Sequence, residues 1–189
     1  MSNRKLKSNK GFTLIELLAV IVILGVLMII AVPMVTKYIK QAKQDAFIDT
    51  AKNYINSARY GYLNGDYVDP EATGGSCATL DSGSGGNVYI KFRYIEVDKT
   101  GGKSSFSKKI LQDKSYVRIE SSSNGKFTYY VYMVDEGGNV LKTTSGSELE
   151  VEESAIRRGN VQTDTNTSGY GLTSEKQKLA CVGSYDTGI

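Results

Sequence analysis

The sequence contains no histidine and no tryptophan, and it has only two cysteines and two prolines in 189 residues. Without histidine, the chain lacks the commonest general base, the commonest metal ligand and every Ser-His or Cys-His catalytic pair. Two cysteines are too few to build a structural zinc site on their own. We therefore expect a protein that is not an enzyme and that needs no metal and no cofactor.

A large excess of charge is also missing. The formal net charge is +3, but the first ten positions hold four basic residues (Arg4, Lys5, Lys7 and Lys10) and no acid. Without these four positive charges the net charge is −1. A chain so close to neutral does not indicate a nucleic-acid-binding surface.

The most prominent feature is the apolar run Phe12–Val35, which has 24 residues and a single charge, Glu16. As a helix it would extend about 36 Å, which is enough to cross a hydrocarbon core of about 30 Å. A secretory signal peptide is the alternative, but its apolar region has only about 7–15 residues and leads into a cleavage site. The run therefore predicts a transmembrane helix. The basic cluster before it predicts a cytoplasmic N-terminus and an exported C-terminal part.

Beyond the apolar run, apolar residues recur every three or four positions from Phe47 to Tyr62. This spacing predicts one buried face of a helix, and Asn64-Gly65 predicts its end. One helix is thus expected from about Thr13 to about Tyr62, with its first half in lipid and its second half packed on protein.

Alternating residues predict strands at 88–94, 115–120, 126–134 and 140–143, with a hairpin at Asn124-Gly125. The expected fold class is α+β, in which a three- or four-stranded antiparallel sheet packs on the C-terminal half of the helix. The other face of the sheet can face water. The acidic run 148–153 is expected to open a short helix or to be solvated, and residues 159–171 are expected to form a surface loop.

Glu16 is anomalous because an acid near the centre of a bilayer costs roughly 2.5–3.5 kcal/mol, and less near an interface. A glutamate whose carboxylate reaches water at the interface would be tolerated in the monomer. That explanation gives no role to the small Gly11, the basic flank and Phe12 that precede it. No partner for Glu16 within the chain is evident from the sequence.

The basic leader, Gly11, the segment Phe12-Thr-Leu-Ile-Glu16 and the long apolar run resemble the class III signal of type IV prepilins. The resemblance extends from Lys10 to about Ile55. Shorter stretches are similar to pilin-like proteins of Gram-positive bacteria, at residues 100–104, 115–117 and 127–131. The organisation implied is a leader peptide at 1–11, a transmembrane and assembly helix at 12–35, and an extracellular pilin domain at 36–189 that includes the amphipathic half of the helix.

The resemblance also implies roles for individual residues. A prepilin peptidase would cut between Gly11 and Phe12 and would methylate the new amine of Phe12. Glu16 would pair with the Phe12 ammonium of a neighbouring subunit, which would set the axial register of a filament. Gly25 and Pro33 would weaken the helix between them.

The function implied is that of a structural subunit of a type IV pilus, a homopolymer built on a membrane assembly platform and used for surface adhesion or motility. The chain would lie first in the inner or cytoplasmic membrane and then in the extracellular filament. One alternative is a pseudopilin of a type II secretion or competence DNA-uptake machine. A membrane-anchored enzyme or binding domain that never polymerises is another, but it gives the cleavage motif no role.

Cys77 and Cys181 both fall on the exported side, where oxidation favours disulfides. A bond between them would close a loop of about 100 residues and tether the C-terminal tail. Two free or separately buried thiols are the alternative. The spacing departs from the common pilin pattern, in which both cysteines lie near the C-terminus, and this departure places a C-terminal receptor-binding loop in doubt.

Overall fold

A computed structural model of the chain describes residues 11–68, 86–97, 102–122, 124–144, 149–164 and 180–183. Its largest element is helix α1, Leu14–Asn64, which has 51 residues. This confirms the single long helix predicted from about Thr13 to about Tyr62. The chain divides into two compact units, Met1–Gln41 and Ala42–Ile189, so α1 contributes to both.

In the first unit, every residue of α1 from Leu14 to Lys40 is exposed. This stretch contains the apolar window that makes α1 long and apolar enough to cross a membrane, and none of that window is buried. The core helix of a soluble protein would pass the same test of length and composition, but it would be mostly buried. The exposure of the apolar residues therefore favours an environment that the described part of the chain does not supply.

The second unit contains a sheet of eight strands among the described residues, in the order β1-β8-β2-β3-β4-β5-β7 with β6 paired to β4. All strand pairs are antiparallel except the parallel pair of β2 and β8. The strands are β1 (Tyr67–Val68), β2 (Gly86–Lys91), β3 (Tyr116–Ser121), β4 (Phe127–Val134), β5 (Asn139–Leu141), β6 (Val151–Glu152), β7 (Val161–Thr163) and β8 (Ala180–Gly183).

Strands β2 to β5 correspond to the four predicted from alternation, so the antiparallel α+β arrangement is confirmed. The sheet has more strands than the three or four expected, because the additional ones have only two to four residues and show no clear period of two. Strand β2 ends at Lys91, short of the predicted Tyr94, because Phe92–Tyr94 form a 3₁₀ turn. The predicted turns before β4 and β5 are present, with Gly125 and Gly138 both at φ 77°.

One face of the sheet packs against the second half of α1. The helix contributes Phe47, Ala51, Tyr54, Ile55 and Ala58, and the sheet contributes Ile90, Val117, Ile119 and Val131. The ring of Tyr54 stacks on Phe92 with centroids 3.7 Å apart, and Phe47 meets Phe106 edge-on at 5.6 Å. The amphipathic stripe from Phe47 onward is thus confirmed as core.

The opposite face of the sheet is buried in part and does not face water throughout. Tyr89, Tyr116 and Tyr132 lie side by side across three strands, with ring centroids 5.8 and 5.6 Å apart. Leu111 and Leu149, from the connections that precede β3 and β6, pack against this cluster. Three adjacent tyrosines present a large apolar area, and the connecting segments remove that area from water.

The acidic run and the segment after it also differ from expectation. Glu150 is 5% exposed and accepts a 2.8 Å hydrogen bond from the Tyr116 hydroxyl, because a buried phenol needs an acceptor. Glu153 pairs with Arg59, and Val151–Glu152 form β6. Glu148 lies outside the described residues; the described part of the run is not solvated throughout, and its last residue, Glu153, begins the short 3₁₀ helix Glu153–Ala155. Val161–Thr163, expected in a surface loop, form β7, while residues 165–171 of that predicted loop lie outside the described part of the chain.

Candidate processing and assembly segment

Gly11, Phe12 and Thr13 lie just before α1 and are not helical. All three are exposed, and the Phe12 side chain keeps 90% of its accessible surface. The predicted cleavage bond therefore lies between two exposed residues outside regular structure. Such positions are where proteases act most readily.

Thr13 and Glu16 form a reciprocal cap at the start of α1. The backbone N–H and the hydroxyl of Thr13 both donate to Oε2 of Glu16 at 2.8 Å. In return, the backbone N–H of Glu16 donates to Oγ1 of Thr13 at 3.3 Å. This is a capping box, which satisfies backbone donors that the helix itself leaves without a partner. The cap places the start of the helix two residues after the predicted cleavage bond.

Thr13 had no predicted role and Glu16 had no predicted partner within the chain, and the structure corrects both points. The signal was present, because Thr-x-x-Glu ahead of an apolar run is the capping-box pattern. Both recorded bonds from Thr13 end on the same oxygen of Glu16. Since a carboxylate offers about four acceptor positions, the cap leaves room for a further cationic partner.

Gly25 and Pro33 both lie inside α1, which is continuous through them. A side-chain carbon added at Gly25 would meet nothing within 4 Å. Pro33 has no N–H to donate to the carbonyl four residues earlier. Nearby, the Thr36 hydroxyl donates to the carbonyl oxygens of Val32 at 3.2 Å and Pro33 at 3.0 Å. The weakening predicted at Gly25 and Pro33 concerns another state of the helix and stays a prediction.

In the second unit, two ion pairs connect α1 to the segment between β6 and β7. Arg158 donates from Nε and a terminal nitrogen to the two carboxylate oxygens of Asp45, at 2.5 and 2.7 Å. These hydrogen bonds lower the pKa of Asp45 below its ordinary value. Arg59 pairs with Glu153 at 2.5 Å, and its guanidinium lies 4.3 Å from the ring centre of Tyr129.

Only one of the two cysteines predicted to form a disulfide lies in the described part of the chain. Cys77 lies outside the described residues, and Cys181 lies in β8, where its backbone is paired in register with Ile90. The disulfide therefore stays a prediction.

The second unit also has a cleft of about 510 Å³ beside β6, lined by Glu150, Glu152 and Arg157 among other polar residues. Glu150 is already bonded to Tyr116, and burial, followed by the charge of Glu150, raises the pKa of the Tyr116 phenol. Within the described residues, no group of three or more His, Cys, Asp or Glu side chains is arranged to hold a metal ion.

Comparison with known families identifies one segment. Residues 6–32 match the model of the prokaryotic N-terminal methylation motif. This motif is the class III signal peptide that is typical of type IV pilins and prepilins, and the predicted signal is confirmed. The matched segment contains Gly11, Phe12, Glu16 and Gly25 and ends just before Pro33. No solved structure matches the chain.

Proposed function

We propose that this chain is the precursor of a type IV pilus subunit, which polymerises through its N-terminal helix into a filament used for surface adhesion or motility. Two adjacent features of the chain together support the proposal. The segment that matches the methylation motif leads directly into a helix whose apolar residues are all exposed from Leu14 to Val35. A helix that is apolar all round needs either lipid or other helices around it. A membrane precursor and a helical filament supply these two environments in turn.

Processing begins the proposed sequence of events. A prepilin peptidase hydrolyses the exposed bond between Gly11 and Phe12 and removes the basic leader. The new amine of Phe12 is then methylated and remains a cation. Because the cut falls before Thr13, it leaves the Thr13–Glu16 cap intact.

Assembly then moves the helix from lipid into a bundle of identical helices at a membrane platform. In that bundle the Phe12 ammonium of one subunit pairs with Glu16 of the next, and pairing offsets the loss of hydration of both charges. A subunit placed out of register would leave a buried charge without its partner, which is unfavourable. Head-to-tail contacts of this kind do not close on themselves, so they extend into a fibre.

The proposal is tested by isolating sheared cell-surface material and by sequencing the N-terminus of the protein in it. We expect filaments of micrometre length that contain this chain, with Phe12 as the first residue and N-methylated. A mature chain that begins at Met1 or after Val35 would refute the pilin assignment. Correct processing without surface filaments, together with a requirement for the chain in secretion or DNA uptake, would identify a pseudopilin instead.

Three variants distinguish the charge-pairing role of Glu16 from its role in the helix cap. Glu16→Gln keeps a side chain that fits the capping box but removes the charge, whereas Thr13→Ala removes the capping hydroxyl and keeps the charge. Glu16→Ala removes both functions. We expect all three chains to insert and to be cleaved, with filament yield lost in both Glu16 variants and largely kept in Thr13→Ala. Normal yield from Glu16→Gln would refute a charge-pairing role.

A further inference from the structure

A short hairpin before β3 carries three lysines with unusual geometry. This lysine hairpin comprises residues 102–110, in which Lys103 and Lys109 are opposite each other in an antiparallel bridge. Lys103, Lys108 and Lys109 are all exposed. Directly opposite residues of an antiparallel pair point to the same side, and like charges in that position repel each other. The hairpin thus keeps an unfavourable pairing that any neutral residue would relieve.

The turn of the lysine hairpin is unfavourable as well. Ser107 has φ 61°, and it is the one non-glycine residue with positive φ in the described part of the chain. Side chains other than glycine rarely adopt this region, and strained residues of this kind are concentrated at functional sites. Strain and charge repulsion therefore coincide in a single short element.

The hairpin is nevertheless firmly anchored to the domain. The buried Ser104 hydroxyl donates to Oδ2 of Asp135 at 2.6 Å. The Ser105 hydroxyl donates to the carbonyl oxygen of Lys43 at 2.6 Å, and the Phe106 ring packs on Phe47. These contacts fix the hairpin against the first turn of α1 within the second unit. Lys43, Lys103, Lys108 and Lys109 together form what we call the basic surface.

The acids that adjoin the basic surface do not neutralise it. Asp45 is bonded to Arg158, and Asp135 is buried and accepts bonds from Ser104 and Asn139. Glu136, whose N–H donates to the carbonyl of Lys109, is exposed and adds one negative charge. Within the residues that the structure describes, no ion pair is recorded for any of the four lysines of the basic surface. A concentrated positive charge thus remains on a mature chain that is otherwise nearly neutral.

We propose that the basic surface binds the phosphate headgroups of anionic lipids in the membrane that holds α1. This inference rests on the membrane insertion in the proposed function. Lys43 follows Val35 by eight residues, or about 12 Å of helix. A headgroup layer extends roughly 5–8 Å beyond the hydrocarbon core, and charges act over a further 8 Å or so at physiological salt. The first turn of the domain is therefore within electrostatic reach of the lipid phosphates, and lysines near such a surface add to the attraction.

Binding of this kind would hold the exported domain at the membrane until assembly. The contact is electrostatic and reversible, so it would be released when the subunit is withdrawn from the bilayer into a filament. The lysines would then be exposed on the filament.

The test uses the full chain inserted in vesicles of phosphatidylcholine alone and in vesicles that also contain phosphatidylglycerol. A membrane-impermeant amine reagent labels outward-facing lysines, and the extent is read peptide by peptide by mass spectrometry. Lys126, in the turn between β3 and β4, is the internal control because it is exposed and lies at the other end of the same strands. We expect the anionic vesicles to slow labelling of Lys103, Lys108 and Lys109 roughly threefold at low salt, with recovery at high salt. Equal labelling in both vesicles would overturn the proposal.

Two matched double variants test which lysines bind the anionic lipids. In Lys103→Gln/Lys109→Gln, labelling of Lys43 and Lys108 in anionic vesicles should rise to the value in neutral vesicles. The control Lys52→Gln/Lys126→Gln removes the same charge from other exposed positions. In this control, Lys43 and Lys108 should stay protected from labelling in anionic vesicles. Loss of protection in both variants would show that only net charge matters and would overturn the assigned surface.

A third arm adds soluble polyphosphate to the chain in neutral vesicles. Protection of the hairpin lysines by polyphosphate equal to that in anionic vesicles would show a site for free phosphate polymers and would refute the membrane assignment. Failure of the proposed function is separately visible, because a chain that does not insert will not float with neutral vesicles.

Discussion

The two halves of α1 are both α-helical, but their apolar side chains are exposed in the first half and mostly buried in the second. Residues 14–40 are all exposed although most of them are apolar, whereas Phe47, Ala51, Tyr54, Ile55 and Ala58 are buried in a half that also carries many polar side chains. The first half is apolar around its whole circumference and the second only along one stripe. The second half therefore has its packing partner in its own chain, whereas the described residues supply none for the first half.

The comparison teaches that side chains in the two halves of one helix can be under different structural constraints. In the second half, side chains are constrained by the shape of the sheet beneath them. In the first half, no described residue covers the exposed apolar side chains, and the contacts recorded at its start are those of the Thr13–Glu16 cap. Equivalent substitutions should therefore have different effects in the two halves.

The largest difference is expected from truncating a large apolar side chain in each half. Phe47→Ala removes a fully buried ring and should lower the free energy of unfolding of the domain by about 3–5 kcal/mol. Ile23→Ala, at a position that is 60% exposed, should change it by less than about 0.5 kcal/mol. Urea unfolding of the full chain in micelles, followed by tyrosine fluorescence, measures both. Equal losses would contradict the division of α1 into a packed and an unpacked half.

Reduction of the predicted Cys77–Cys181 disulfide should affect only the exported part. If the bond is present, its loss should cost the domain about 2–4 kcal/mol, while the helicity of the apolar half is unchanged. Peptide maps under non-reducing and reducing conditions establish the bond, and thermal unfolding with and without reductant measures its effect. Free thiols on both residues in the oxidised protein would refute the bond, and unchanged thermal stability would refute its role as a tether.

Two glycines in α1 allow the same substitution with opposite expected signs. A side-chain carbon at Gly61 would lie 2.7 Å from the hydroxyl oxygen and 2.8 Å from two ring carbons of the buried Tyr67, so Gly61→Ala should destabilise the domain by about 1–3 kcal/mol. Gly25 has open space around it, and Gly25→Ala should favour the helix by about 0.5–1 kcal/mol. Urea unfolding measures the first change and far-ultraviolet circular dichroism of thermal unfolding in micelles the second. A Gly61→Ala chain as stable as the parent would show that Tyr67 moves aside freely.

The smallest effect is expected from the exposed ion pair of Asp45 and Arg158. The hydrogen bonds from Arg158 lower the pKa of Asp45 in the folded chain, so the pair stabilises the fold above the ordinary aspartate value and is lost as the pH falls through the lowered one. Asp45→Asn should therefore flatten the dependence of stability on pH below about pH 4. Asp49→Asn, the same change one turn later, is the control. A steep acid limb that persists in Asp45→Asn would assign the pH dependence to other carboxylates.

Periodicity in the sequence was sufficient to predict α1 and strands β2 to β5, because each of these elements repeats its pattern over enough residues. It could not predict β6, β7 and β8, which are short and depend on partners far away in the chain. The second tyrosine cluster was missed for a related reason. Alternation in β3 identifies two faces, but whether Tyr116 is covered depends on Leu111 and Leu149, from separate connections.

The candidate site shows the same division between local and distant information. The cleavage residues and Glu16 were identified because an acid in an apolar run is anomalous within a few residues. Thr13 was equally local, since Thr-x-x-Glu ahead of an apolar run is the capping-box pattern. The lysine hairpin had no such signal, since the proximity of Lys103, Lys109 and Lys43 arises from a turn and from the contact of Ser105 with α1.

Strand β8 has a consequence for the order of events during export. It lies between β1 and β2, so residues 180–183 complete a sheet whose neighbouring strands were synthesised long before. Before residues 180–183 arrive, the edge of β2 that pairs with β8 has no strand beside it, and β1 has no partner that joins it to the sheet. If the chain is exported as proposed, the domain therefore cannot reach its final fold until translocation has passed residue 183. A chain that stopped before residue 180 would lack β8 and leave an unfinished sheet that quality-control proteases can recognise.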